Sequence, residues 1–103
     1  METKKIIWTL PAKNDLQKIF EYLAEVSEIV ALKVVQNIVM RTRLLEAGFT
    51  KIGQEEPLLK SRKKNYRCLI EGNYKIIYSQ NNNEIIIHTI FDTRQNPKKL
   101  KRI

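Results

Sequence analysis

The sequence predicts an α+β fold: a short N-terminal strand, an antiparallel helical hairpin, then a three-stranded antiparallel meander, giving a twisted sheet packed by helices. Three observations carry that expectation. Apolar, β-branched runs at 66–71, 74–80 and 84–91 are separated by Glu71-Gly72-Asn73 and Asn81-Asn82-Asn83, the pattern of a meander. Upstream, two stretches place apolar residues at helical spacing. A chain of 103 residues supports one modest core, so 1–103 is read as a single domain.

Residues 4–9 (KKIIWT) fit an opening strand through Ile6, Ile7 and Trp8. Pro11 suits the first turn of a helix, where its missing N–H costs nothing. Leu16, Ile19, Phe20 and Leu23 fall at i, i+3, i+4 and i+7, one face of a helix over about 11–25. Ser27 and Glu28 form a helix start, with a capping hydroxyl and an acid in the first turn. The second helix is expected over 28–47, with Ile29, Leu32, Val35, Ile38, Val39, Thr42 and Leu45 as its core stripe and Gly48 as its C-cap. The short link makes the pair an antiparallel hairpin.

Residues 49–65 form a long connection that contains Gly53, Pro57 and the basic run Lys60, Ser61, Arg62, Lys63, Lys64. Loops of this length are often functional. The run either frames a basic groove beside the sheet or is a solvated loop. In the first hairpin of the meander, two registers compete. A two-residue Gly72-Asn73 loop pairs Ile70 with Lys75 and sets Arg67 beside Tyr78. A three-residue loop pairs Leu69 with Lys75 and puts Arg67 on the face of Lys75. The tolerance of Asn73 for the left-handed conformation favours the three-residue loop.

The net charge of +8 is segregated. Residues 1–50 carry seven Lys/Arg and six Asp/Glu, whereas residues 51–103 carry twelve and five. That imbalance points to a polyanion or an acidic protein as the partner of the sheet side. No metal-ligand spacing, cofactor motif or phosphate-binding glycine loop is present in the sequence. The N-terminus has neither the apolar core nor the cleavage site of a signal peptide, and no membrane span is expected. The single Cys68 reads as a small core residue; a lone cysteine is compatible with a reducing cytoplasm.

The constellation with chemical capacity is cationic. Arg67, Lys75 and Arg94, with Tyr66, Tyr74 and Tyr78 nearby, would bind phosphate and stack on bases if the register brings them to one surface. The competing reading ties Arg94 to Asp92 as a local structural pair. His88, between Ile87 and Thr89, reads as a hydrogen-bonded structural histidine.

The order strand, helical hairpin, loop, meander, with GNYKIIY at 72–78 and FDTRQNP at 91–97, resembles the RelE/ParE family of bacterial type II toxin–antitoxin toxins along essentially the whole chain. The resemblance implies a cytoplasmic, growth-inhibiting toxin, of the kind linked to plasmid stabilisation, that a cognate antitoxin wraps and neutralises. It also implies one of two activities. RelE-like members are metal-independent, ribosome-dependent endoribonucleases acting on mRNA through a cationic cluster, whose positions match Arg67, Lys75 and Arg94, with Tyr78 or His88 as substitutes for the missing base. ParE-like members inhibit DNA gyrase. Leu69 stands where the nuclease pattern has a second basic residue, and Gln95-Asn96-Pro97 stands where it has a tyrosine or a His-Tyr pair. The chain is therefore more similar to the ParE side, with Lys60, Arg62, Lys63, Lys64, Arg67 and Arg94 as candidates for contact with a target or a nucleic acid. A non-toxic basic interaction module is the remaining alternative.

Overall fold

The longest apolar runs of the chain become its central strands. In the computed structural model, which describes residues 4–46, 54–56, 59 and 65–94, the elements are β1 (Lys5–Trp8), α1 (Leu10–Ala24), α2 (Glu28–Glu46), β2 (Gln54–Glu55), β3 (Arg67–Glu71), β4 (Tyr74–Gln80) and β5 (Glu84–Asp92). They build a five-stranded sheet of order β1-β5-β4-β3-β2. β4 and β5 lie inside it, with Ile76, Ile77, Ile85 and Ile87 fully buried. Interior strands covered on both faces are apolar at consecutive positions, as these are.

The expected α+β architecture and the antiparallel meander are present, with two additions. β2 extends the sheet from within the long connection, pairing Gln54 with Cys68 and Glu55 with Arg67. β1 runs parallel to β5, from Lys5 opposite Glu84 to Trp8 opposite Ile87.

Thr9 turns the chain from sheet to helix. Its hydroxyl accepts from the Ala12 N–H at 3.3 Å, capping α1, and donates to the Ile87 carbonyl at 2.8 Å. The cap thereby fixes where α1 starts relative to β5. Past the end of β1, the outer edge of β5 is covered by α1, and Asp15 accepts from the Ile90 N–H at 3.2 Å and from the Thr89 hydroxyl. Ser27 caps α2 through Val30 N–H at 3.2 Å.

The main core forms where the helices meet one face of the sheet: Ala12, Ile38 and Leu45 against Leu69, Tyr74, Ile76, Tyr78, Ile85, Ile87 and Ile90, with Leu16 and Ile19 packed on it. At about 25 cal/mol per Å² of apolar area, each such side chain contributes roughly 1.5–3 kcal/mol. Among the described residues a smaller cluster of Leu59, Cys68, Ile77 and Phe91, with Tyr66 against it, occupies the other face.

Two expectations are corrected. The stripe on α2 does not all face the core. Ile38, Thr42 and Leu45 are buried, but Ile29 and Leu32 are exposed, because the helix is apolar on two sides and the sheet covers only one. The first hairpin takes the two-residue loop, pairing Ile70 with Lys75 and Arg67 with Tyr78. Gly72 adopts φ +60° and, among the described residues, no non-glycine residue has positive φ. Glycine at the first central position gives a type II′ turn, so Asn73 needs no left-handed conformation. Gly48 and the basic run 60–64 lie outside the described residues.

Candidate functional site

The hairpin register decides the fate of the cationic constellation. Because side chains alternate along a strand, pairing Ile70 with Lys75 puts Arg67 and Lys75 on opposite faces of the sheet. Arg67 opens β3 between Glu55 of β2 and Tyr78 of β4. Lys75 points to the smaller cluster, where its ammonium lies 3.0 and 3.2 Å from the two carboxylate oxygens of Glu56. Glu56 is completely buried, so this pair is shielded on the carboxylate side.

Arg94 sits elsewhere again, just past the end of β5. Its guanidinium grips Asp92 with both prongs, Nε to Oδ1 at 3.0 Å and Nη2 to Oδ2 at 2.9 Å, while its backbone N–H donates to Oδ1 at 2.9 Å. These hydrogen bonds, then the carboxylate charge, raise the guanidinium pKa. The structure therefore does not bring Arg67, Lys75 and Arg94 together, and the local tie between Arg94 and Asp92 is the arrangement found. Lys60, Arg62, Lys63 and Lys64 lie outside the described residues, as does the tail from Gln95 onward.

Tyr78 is fully buried in the main core, so its hydroxyl faces no groove. His88 is half-buried and well placed. A register shift between Ile77 and Tyr78 leaves His88 as the extra residue of β5, with Thr89 opposite Ile77 and Ile87 opposite Tyr78. Such a bulge re-aims side chains. His88 Nε2 lies 2.7 Å from Ser79 Oγ, and its ring meets Tyr66 edge to face with centroids 5.0 Å apart. Ser79 is buried and Asp92 is engaged by Arg94, so no accessible Ser-His-Asp nucleophile is formed.

Sequence reasoning missed Asp15 and Glu56. Asp15 carried a usable signal, a carboxylate beside Leu16 on the inward side of α1. Glu56 carried none, being one acid in an irregular connection. Both serve neighbouring grooves or packing. A groove of about 450 Å³ is lined by Asp15, Lys18, Tyr22, Tyr74, Asp92 and Arg94 among others. A second, of about 520 Å³, shares Asp15 and Lys18 and ends at Tyr66 and His88. Burial raises the Tyr74 pKa, helped by the Asp92 carboxylate. The Cys68 thiol, shielded from water and facing Glu56, is pushed up to about 11, so it is no nucleophile at neutral pH.

Among the described residues no group of three or more His, Cys, Asp or Glu is placed to hold a metal ion. Nor, among the described residues, is any helix long and apolar enough to cross a membrane. The arrangement is suited to recognition through cations, aromatic edges and apolar helix surface.

Comparison with known proteins agrees with this architecture. The family model for the ParE toxin of the type II toxin–antitoxin system parDE matches residues 6–97. The fold is similar to that of a solved chain described as the chromosomal ParDE TA system from P. aeruginosa, with a TM-score of 0.70 and 27% sequence identity, covering 87% of this chain and 96% of that one. No curated protein sequence matches. With the family model spanning both helices, β2 to β5 and β1 from Ile6 onward, the chain belongs to the ParE toxin family of type II toxin–antitoxin systems.

Proposed function

We propose that this protein is a cytoplasmic toxin that arrests growth by binding a macromolecular target, with DNA gyrase the leading candidate, and that a cognate antitoxin neutralises it. The observation that carries this reading is the dispersal of the three cations. Lys75 is committed to Glu56, Arg94 to Asp92, and Arg67 lies on the opposite face of the sheet from Lys75. A phosphoryl-transfer site needs such groups converging on one developing charge. Binding through a surface needs no such convergence. The membership of the ParE family supports the same side of the choice. The antitoxin is expected to cover part of the basic half, where opposite charge would speed its association and make it salt-sensitive.

The test is a pair of assays on the purified protein. Supercoiling by gyrase should be inhibited in proportion to toxin added, and the antitoxin should reverse the inhibition. In parallel, ribosome-bound mRNA should remain intact. Intact supercoiling accompanied by cuts in the ribosomal A site would replace this reading with a ribosome-dependent endoribonuclease. Expression of folded protein without growth arrest would leave a basic interaction module.

A further inference from the structure

The interiors of β4 and β5 are apolar or aromatic except at Lys75, Ser79, His88 and Thr89. Two of these tie the strands to other elements, Lys75 to Glu56 and Thr89 to Asp15 of α1. The contact of 2.7 Å between Ser79 Oγ and His88 Nε2 does something else, because it joins strands whose backbones are already paired from Tyr74 to Gln80. Its effect is to hold the imidazole in one orientation from a buried hydroxyl. The bulge that makes His88 an extra residue aims the same ring, and bulges are over-represented beside active sites. A polar ring oriented by two separate devices on an otherwise apolar strand points to a use beyond the fold. The groove that this ring lines is where that use would lie.

We propose that the groove between α1 and the β5 bulge binds a nucleoside monophosphate. Its volume of about 520 Å³ suits a single small molecule. Tyr66 and His88 stand at 75° to each other with centroids 5.0 Å apart. That corner lets a planar base lie on one ring and meet the other with its edge. Along α1, Asn14 and Lys18 line the same groove one helical turn apart, roughly 6 Å, and both are exposed. The Lys18 ammonium takes the phosphate, and the Asn14 amide, with donors and an acceptor, takes the sugar hydroxyls. Charge limits the ligand to one phosphate. Asp15 shares the groove with Lys18, and in the adjoining groove Arg94 is matched by Asp92. A nucleic acid strand needs a track of uncompensated cations, which the described residues of neither groove supply. The site is separate from the basic half expected to attract an acidic partner, and it stands independently of the gyrase reading.

The test is binding of AMP to the full chain, with affinity from calorimetry and location from NMR shifts. AMP should bind saturably and shift Asn14, Lys18, Tyr66 and His88. Adenosine and ribose 5-phosphate, each carrying half of the contacts, should bind at least tenfold more weakly. Lys18→Gln, at an exposed position that leaves the fold alone, should raise the Kd for AMP about tenfold and leave that for adenosine unchanged. Ser79→Ala, checked as folded by circular dichroism, should weaken AMP and adenosine alike, because the imidazole loses its orientation. Four results overturn the proposal: no saturable binding, shifts confined to residues outside the groove, inorganic phosphate or benzoate binding as tightly as AMP, or an AMP affinity unchanged in Lys18→Gln. An oligoadenylate that binds far more tightly than AMP, with steep salt dependence, would also overturn it, giving the groove to a single strand. The assay needs neither gyrase nor antitoxin, so its failure is separate from the failure of the toxin reading.

Discussion

The two faces of the sheet are held by different means. Toward the helices, Leu69, Tyr74, Ile76, Tyr78, Ile85, Ile87 and Ile90 form a continuous apolar layer under α1 and α2. On the other side, Leu59, Cys68, Ile77 and Phe91 form a smaller cluster bordered by polar links, Glu56 with Lys75 and Ser79 with His88. The first face is stabilised by area, which is non-directional and tolerant. The second depends on individual partners, whose loss leaves a buried polar group unsatisfied. Substitutions should therefore be graded by packing on one face and by pairing on the other.

Ile76 and Ile77 give a matched test, being neighbours with identical side chains, both fully buried, in opposite clusters. Ile76→Ala should cost about 4 kcal/mol in urea denaturation, near the upper part of the range for such truncations. Ile77→Ala should cost about 2–3 kcal/mol, because its cluster, the smaller of the two among the described residues, can settle into the space. Equal losses, or the reverse order, would break the comparison.

Lys75→Met probes pairing. The substitution takes the Lys75 ammonium away from the buried Glu56 carboxylate, and the expected loss is about 3 kcal/mol, at the lower end for a buried pair because Lys75 keeps 20% of its side chain exposed. Adding Glu56→Gln should recover part of that loss. A double-mutant cycle with no coupling would show that the pair contributes nothing to holding residue 56 against the sheet.

How far these faces were legible in the sequence depends on which residues carry the signal. Gly72 and the apolar, β-branched runs around it announced the meander, and Leu16, Ile19, Phe20 and Leu23 announced the inward face of α1. The bulge at His88 was hidden because 85–87 and 90–91 are apolar on both parities, so no alternation exists to reveal a shift. The exposure of Ile29 and Leu32 was hidden for a related reason: a helix with apolar residues on two sides does not say which one the sheet takes. The parallel pairing of β1 with β5 depends on where α1 and α2 return the chain, and local patterning does not encode that. The candidate site was less legible than the fold, since its outcome turned on a single residue of register in the 66–80 hairpin.

A smaller effect separates the faces by pH. The Cys68 thiol is pushed up from 9.0 to about 11, chiefly by burial and then by Glu56. The native state thus holds this proton more tightly than the unfolded chain does. The associated stability is complete below about pH 9 and is lost as pH rises toward 11, amounting to roughly 2 kcal/mol. Cys68→Ala removes the dependence, so the stability gap between wild type and variant should narrow over that window. A gap independent of pH would show that the thiol side is open to water.

Arg94→Ala should disturb the fold least of all, and for that reason it is the most informative variant about function. The arginine side chain is 58% exposed and its partner Asp92 lies at the end of β5, so the melting temperature should hardly move. Thr93 still ties that end to the hairpin, through N–H and hydroxyl bonds to the Asn73 carbonyl at 2.8 and 2.9 Å. Removing the guanidinium takes away the positive charge and hydrogen bond that hold the Tyr74 pKa down, leaving the opposing effects of burial and of the Asp92 carboxylate. The Tyr74 phenol should therefore titrate at still higher pH, as read by NMR of its ring carbons. With the fold intact, any loss of growth arrest in this variant is a loss of contact with the target. A large fall in melting temperature would instead assign Arg94 to the architecture of the β5 end.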